Sequence, residues 1–261
     1  MHAPRKRFSQ NFLHDDNILR HIINVINPQP DDQIVEIGPG LGALTEYLVD
    51  SSATVDGIEI DNDLIDRLQE QIKSENFNLH AADALEFDIS QIYSGKKLRI
   101  CGNLPYNIST PLLFRLLDYI DIIQDMHFLL QNEVVERIAA TPGTKSYGRM
   151  SVMLQYYCKT EALFTVPANC FHPVPKVLSA VVRLTPHPNL PFVAQDTPWL
   201  ETIVRYAFGQ RRKTVGNACK KLFNSTEWEH IGIDPKRRAE TLSIAEFVQI
   251  SNGTLNHKSQ E

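Results

Sequence analysis

The chain has 261 residues and a net charge of −5, with 43% hydrophobic and 22% charged residues. That is the balance of a soluble globular protein with room for one large domain and a small one. No apolar run approaches the length of a membrane span, and the basic start MHAPRKRFSQNF has no apolar core behind it, so neither a membrane role nor export is expected.

In chain order, residues 14–27 place Ile18, Leu19, Ile22, Ile23 and Ile26 at helical spacing. Residues 33–37 (QIVEI) form a short buried strand running into Gly38-Pro39-Gly40-Leu41-Gly42, and a helix is expected over 43–50. A second strand at 54–60 leads to a helix opening near 61–63 and ending near 73. Further strands are expected at 76–81, 98–101 and 126–130. Pro111, set behind Ser109-Thr110, opens a helix to about residue 119, with a hydroxyl cap and proline in its first turn. Strands alternating with helices at this spacing mean an open, mostly parallel α/β sheet of Rossmann-like type. After Pro173-Val174-Pro175 a late strand covers 179–184, and the aperiodic, proline-containing stretch 187–198 reads as a linker. Beyond it the pattern is helical only: 199–208, 214–223, short pieces at 235–241 and 245–250, and a frayed polar tail from 251. The expected organisation is therefore a catalytic domain over 1–186 and a small all-helical domain over 187–261.

Four widely spaced cysteines, Cys101, Cys158, Cys170 and Cys219, show no CxxC pair and no histidine at metal-ligand spacing. They fit a reducing, cytoplasmic setting and speak against a metal. Charge is unevenly spread. Residues 31–185 hold 12 basic against 21 acidic residues, whereas both flanks carry net positive charge. Residues 202–226 contain Arg205, Arg211, Arg212, Lys213, Lys220 and Lys221 with no acid at all, and Lys6 and Arg7 stand at the front. Such localised basic ends suit contacts to phosphates, although a solvated helix face explains any one charge run as well.

The stretch VEIGPGLGALTEYL puts Gly38 and Gly40 on a strand-to-helix turn, where a ligand can approach the backbone closely. Glu59, about twenty residues on, ends the next strand, where an acid can take both hydroxyls of a ribose. Read as G-x-G-x-x-A, the turn also fits an NAD enzyme. Asp83 ends the third strand, where a carboxylate can accept from the exocyclic amine of an adenine, and Gly102-Asn103-Leu104-Pro105-Tyr106 ends the fourth. Singly, these are an ion pair, a helix cap and plain turns. Together, in order and at one edge of a sheet, they point to a nucleotide-like cofactor beside a reacting group.

The segments KRFSQNFLHD (6–15), VEIGPGLGALTEYL (35–48), GIEIDNDL (57–64), ADALEFD (82–88), GNLPYNISTPLLF (102–114), FHPVPKVLSAVVRL (171–184) and AFGQRRKT (207–214) carry a resemblance. Taken together they make the chain similar to class I S-adenosylmethionine-dependent methyltransferases. More closely, it resembles the ribosomal RNA adenine N6-dimethyltransferases, above all their bacterial small-subunit type. The glycine turn is shared by many methyltransferases; the NLPY, QNFL and FxPxPKVxSAVVRL segments are far more specific. The resemblance implies S-adenosylmethionine as methyl donor, with Asn11 and Leu13 closing over it from an N-terminal arm. It further implies Gly38 and Gly40 beneath the methionine part, Glu59 at the ribose, Asp83 and the Ala84 amide at the adenine, and Asn103 at the sulfonium. The implied product is N6,N6-dimethyladenosine at two adjacent adenosines in the 3′-terminal hairpin of 16S rRNA, made during late small-subunit assembly; a monomer is the default expectation.

The NLPY loop holds no acid, base or strong nucleophile, and the implied chemistry needs none. Adenine's exocyclic nitrogen is a poor nucleophile because its lone pair is delocalised into the ring. Two acceptors holding its N–H groups, the Asn103 side-chain oxygen and the Leu104 carbonyl, would twist it toward tetrahedral geometry. Pro105 would preset them, and Tyr106 would stack the extruded base, with Phe171 as second wall. The rivals are an NAD oxidoreductase, a non-catalytic assembly factor and a methyltransferase of 23S rRNA.

Overall fold

The computed structural model describes residues 11–258. The chain divides into two compact units, one holding the chain up to Val135 with Lys159–Pro186, the other Glu136–Cys158 with the chain from His187 onward.

The first unit runs β1 (Phe12–Leu13), α1 (Asp16–Ile26), β2 (Gln33–Ile37), α2 (Ala43–Asp50), β3 (Thr54–Glu59), α3 (Asn62–Gln71), β4 (Phe77–Ala81), β5 (Leu98–Asn103), α4 (Ser109–Leu116) and β6 (Ile123–Gln131). Then α5 (Asn132–Ile138) and α6 (Arg149–Tyr157) follow, before β7 (Cys158–Val166), β8 (Phe171–His172) and β9 (Ser179–Pro186). A seven-stranded sheet has the order β4-β3-β2-β5-β6-β9-β7. Strands β2 to β6 pair in parallel and β9 runs antiparallel to β6. The sheet is thus open and mostly parallel, as expected. It was the alternation of strands with helices that foretold this, because parallel neighbours need a crossover long enough to hold a helix.

Helix α1 starts where the Asp15 carboxylate accepts the Ile18 N–H (3.1 Å) and stops at Asn27 in the left-handed conformation. Its Leu19, Ile22 and Ile26 face the core. Arg99, at the start of β5, bridges Asp32 (2.7 Å) and Asp125 (2.9 Å) and donates to the Ile26 carbonyl (2.5 Å). It ties the end of α1 to the edge of the sheet remote from the strands' carboxyl ends.

Two local expectations change. Strand β5 runs on through Asn103, because Gly102 and Asn103 stay paired with Phe128 and Leu129 of β6. Helix α4 lacks a hydroxyl cap: its N-cap is Ile108, and the Ser109 hydroxyl donates to the Tyr106 carbonyl (3.1 Å).

The second unit is helical, with α6, α7 (Thr197–Gly209), α8 (Val215–Ala218), α9 (Ser225–Ile231) and α10 (Ile244–Lys258). It is not the contiguous 187–261 expected, because residues 136–158 belong to it. Tyr147 is fully buried with its ring edge against Phe208 (centroids 6.0 Å apart), and Phe208 meets Phe247 (5.7 Å). Gln155 fastens α6 to the Ile138 and Ala140 carbonyls (2.7 and 2.8 Å). The expected helix at 214–223 shortens to α8. Helix α9, capped by Asn224 and Glu227 in a capping box, was not foreseen. Nor does the tail fray at 251. Ser251 and Thr254 are buried, and the Thr254 hydroxyl donates to Ile250 O (2.9 Å) while accepting from the Trp199 indole (2.8 Å). The doubly bonded Thr254 hydroxyl lets this polar residue sit buried inside the helix.

Candidate active site

The carboxyl ends of β2, β3, β4 and β5 surround a cleft of about 320 Å³ within the first unit. Asn11, Leu13, Gly38, Gly40, Glu59, Asp83, Ala84, Asn103, Leu104, Pro105 and Tyr106 all line it. The sequence-derived set therefore converges, with the exceptions given below.

The turn from β2 into α2 holds Gly38, Gly40 and Gly42 at φ +69°, +63° and +85°, a region that side-chain-bearing residues avoid. Glu59 braces it: Oε2 accepts the Gly40 N–H (3.1 Å), and Oε1 accepts those of Ile60 and Asp61 (3.0 Å each). Burial raises the Glu59 pKa, and these three N–H bonds offset part of the rise. Oε2 keeps lone-pair capacity toward the cleft. The Gly40 amide, which would meet the pyrophosphate of a dinucleotide, is already occupied by this carboxylate.

Asp83 is both a cap and a candidate contact. Its Oδ1 accepts the Leu85 N–H (2.8 Å) and its carbonyl takes those of Glu86 and Phe87. Oδ2 stays available on a residue that lines the cleft.

On β5 and its loop, Asn103 donates from Nδ2 to the Asn11 carbonyl (2.8 Å). A carbonyl can only accept, so this bond fixes the amide orientation and leaves Oδ1 as the free acceptor. The Leu104 N–H donates to Leu129 O (3.2 Å), anchoring the loop to β6, and Pro105 O accepts from Ile108 and Ser109. The Tyr106 hydroxyl meets Ser179 Oγ (3.4 Å), with the ring half-buried.

Phe171 is a correction. Its side chain is 1% exposed in the hydrophobic core with Leu13, Leu19, Ile22 and Val181, and it does not line the cleft. Strand β8 pairs with β1, Leu13 opposite Phe171, and this small sheet turns the ring inward.

Two ionisable lining residues escaped the sequence reading, Glu36 on β2 and His127 on β6. Across the paired strands Glu36 stands opposite Cys101, and Cys101 opposite His127. Glu36 Oε2 and His127 Nε2 are both buried without a hydrogen-bond partner. The available signal was an ionisable residue inside an otherwise apolar strand, QIVEI and MHFLL. Burial lifts Glu36 to about 7; the Thr45 hydroxyl draws it partly back and the Glu59 charge adds to the rise. Burial lowers His127 to about 4, so its ring is neutral at neutral pH. Among the described residues three carboxyl groups and no lysine or arginine line the cleft, a setting that suits a cation and repels a pyrophosphate.

A stability prediction follows for Glu36. The folded protein keeps this proton to about pH 7, whereas the unfolded chain releases it near 4.5. Between these values the native state binds more protons, so the contribution favours folding at low pH and is lost as pH rises to 7. Relative to Glu36→Gln, the wild type should lose about 2–3 kcal/mol from pH 4.5 to 8, read from urea midpoints. Parallel pH profiles for the two proteins would refute a protonated Glu36.

In the second unit, Arg205, Arg212, Lys213, Lys220 and Lys221 are exposed, while Arg211 donates to the Lys145 and Tyr147 carbonyls (2.7 and 3.0 Å). Part of the Arg211 guanidinium is therefore committed to bracing its own backbone. Lys6 and Arg7 lie outside the described residues.

Comparison with known proteins gives consistent results. The family described as "Ribosomal RNA adenine dimethylase" matches residues 1–254. The "Ribosomal RNA small subunit methyltransferase A" of Chromohalobacter salexigens is 52% identical over 257 residues, covering 96% of this chain and 91% of that protein. The protein of the same name from Pseudomonas aeruginosa is 51% identical, covering 96% and 94%. Among solved structures, a dimethyladenosine transferase from Plasmodium falciparum shares the fold with TM-score 0.78 at 23% identity, covering 92% of this chain and 95% of that one. The 23S rRNA methyltransferase ErmE does so with TM-score 0.68 at 22% identity, covering 93% and 99%.

Proposed function

Because the chain belongs to the ribosomal RNA adenine dimethylase family, we propose that it uses S-adenosylmethionine to dimethylate N6 of two adjacent adenosines in the 3′-terminal hairpin of 16S rRNA. It would act late in small-subunit assembly, as a monomer in the bacterial cytoplasm. The relatives' printed names support the small subunit as target, and four buried, free cysteines support a reducing compartment.

The observation that carries the chemistry is the Asn103 side chain, whose NH2 is held by the Asn11 carbonyl so that Oδ1 alone faces an incoming amine. Oδ1 and the Leu104 carbonyl accept the two N–H groups of an extruded adenine and turn its lone pair out of the ring plane. Pro105 and the bond from the Leu104 N–H to Leu129 O hold these acceptors in advance, so little reorganisation is needed at the moment of transfer. Tyr106, tethered through its hydroxyl, offers a stacking face. When bound, the sulfonium donor supplies an electrophilic methyl group, so alignment for in-line transfer replaces acid–base chemistry. Glu59 Oε2 is the acceptor for ribose hydroxyls, and Asp83 Oδ2 with the Ala84 amide reads the donor's adenine. The proton released from the methylated amine leaves to water.

Arg205, Arg212, Lys213, Lys220 and Lys221 are the phosphate contacts in this reading, with Lys6 and Arg7 from the N-terminal end. Replacing Arg212 and Lys213 together by alanine should weaken RNA binding and lower the log–log salt slope by about 2, roughly one unit per phosphate contact. An unchanged slope would leave both side chains as solvated charges on the turn between α7 and α8.

The direct test is methyl transfer from labelled S-adenosylmethionine to small subunits lacking the two dimethylations. Large subunits and naked 16S rRNA run in parallel, followed by nucleoside mass analysis. N6,N6-dimethyladenosine in the small-subunit RNA alone is the expected result. Binding without transfer would favour an assembly factor, and transfer to large subunits a 23S enzyme.

A further inference from the structure

The Asn103 amide is only as well placed as the group that holds it. The terminal torsion of an asparagine is soft, so nothing within the side chain keeps Oδ1 rather than Nδ2 toward an incoming amine. Turned over, Nδ2 would set its hydrogens against those of the amine, since both groups donate. The Asn11 carbonyl prevents this by accepting from Nδ2 (2.8 Å). That carbonyl belongs to the peptide leading into Phe12, so its direction depends on what fixes Phe12.

Phe12 is fixed through both its backbone and its ring. It pairs with His172 where β1 meets β8, Leu13 is buried opposite Phe171, and the His14 N–H donates to the Cys170 carbonyl (3.0 Å). The ring lies on the glycine turn. A Cβ at Gly40 would stand 3.3 Å from both Cδ1 and Cε1 of Phe12, so the ring fills the space where a side chain on Gly40 would begin. The turn is itself braced, with the Gly40 N–H donating to Glu59 Oε2 (3.1 Å). A continuous line of contacts thus runs from the turn assigned to the donor, through the Phe12 ring and the Asn11 carbonyl, to the amide assigned to the target adenine.

We infer that Phe12 is a positioning residue for methyl transfer: seated on Gly40, it aims the Asn11 carbonyl and so keeps the Asn103 oxygen toward the amine. This rests on the reading of Asn103 Oδ1 as an acceptor for that amine. A residue that merely covers the donor changes how much donor is bound. A positioning residue changes the rate after the donor is bound.

The test is the single-turnover rate of methyl transfer from saturating labelled S-adenosylmethionine to small subunits lacking the two dimethylations. Donor affinity is measured separately by equilibrium binding. Phe12→Ala should lower the rate about 100-fold, the scale of a small misplacement at a reacting centre. In an Asn103→Ala background the same substitution should change the rate by less than about twofold, because the group it positions is gone. Phe12→Leu keeps an apolar side chain for the turn and should fall between wild type and alanine. It takes the place of alanine in the comparison if urea unfolding shows that Phe12→Ala does not fold. A wild-type rate for Phe12→Ala once donor saturates would overturn the proposal, leaving Phe12 as a cover for the donor. An equal fold-loss with and without the Asn103 side chain would overturn it as well. A wild-type rate for Asn103→Ala alone would instead remove the reading of Asn103 itself.

Discussion

Asn103→Ala is expected to lower turnover by about two to three orders of magnitude while leaving donor affinity within a few-fold of wild type. The scale is that of removing one preorganised hydrogen-bonding group from a transition-state site. Asn103 does two things in the structure. Its Nδ2 ties β5 to the Asn11 carbonyl, and its Oδ1 is kept free. Alanine removes both, but only the second bears on an amine that must lose its planarity before it can attack. Single-turnover rates at saturating donor, beside equilibrium donor binding, separate the two. Equal losses in both measurements would mean that the side chain mainly holds the donor, or the arm that covers it.

The largest structural effect is expected at Gly102. A Cβ on this residue would stand 2.4 Å from the Ile37 carbonyl oxygen, well inside contact distance and against backbone on the neighbouring strand. Flexible side chains can move aside; two strands of the same sheet cannot part there without dismantling the cleft between them. Gly102→Ala should destabilise the protein by about 3 kcal/mol or more, at the upper end of overpacking substitutions, and abolish donor binding. A urea midpoint within about 0.5 kcal/mol of wild type would show that the strand ends separate easily.

Gly102 also shows what the sequence conveyed and what it did not. Read locally, Gly-Asn-Leu-Pro is turn chemistry, and the strand was expected to end at Cys101. The structure uses the glycine for close strand approach, which depends on a partner 65 residues away in sequence. The same limit applies at Phe171. The residues around it allow either a core plug beneath the proline-rich loop or a wall for the base, and only the pairing of β8 with β1, distant in sequence, decides for the core. The glycine turn, Glu59, Asp83 and Asn103 were legible because each ends or closely follows a strand, most of them of strong apolar character, and parallel strands bring their carboxyl ends to one edge. Glu36 and His127 were hidden by the same apolar character, since a buried strand was assigned without asking why it carries an ionisable residue. In the second unit, α9 and the end of α10 escaped because caps and buried hydroxyls, not an apolar stripe, sustain them.

The order of strands has a consequence for how the chain comes off the ribosome. Strand β9, the last of the sheet to be synthesised, lies between β6 and β7, both made before it. Until residues 179–186 emerge, β6 presents an unpaired edge and β7 has no neighbour, so the nascent sheet is open on that side while residues 136–158 wait for helices encoded beyond 187. Neither half of the molecule can close before the other has begun. A pause in translation between β7 and β9 would therefore leave an aggregation-prone strand edge exposed for its duration.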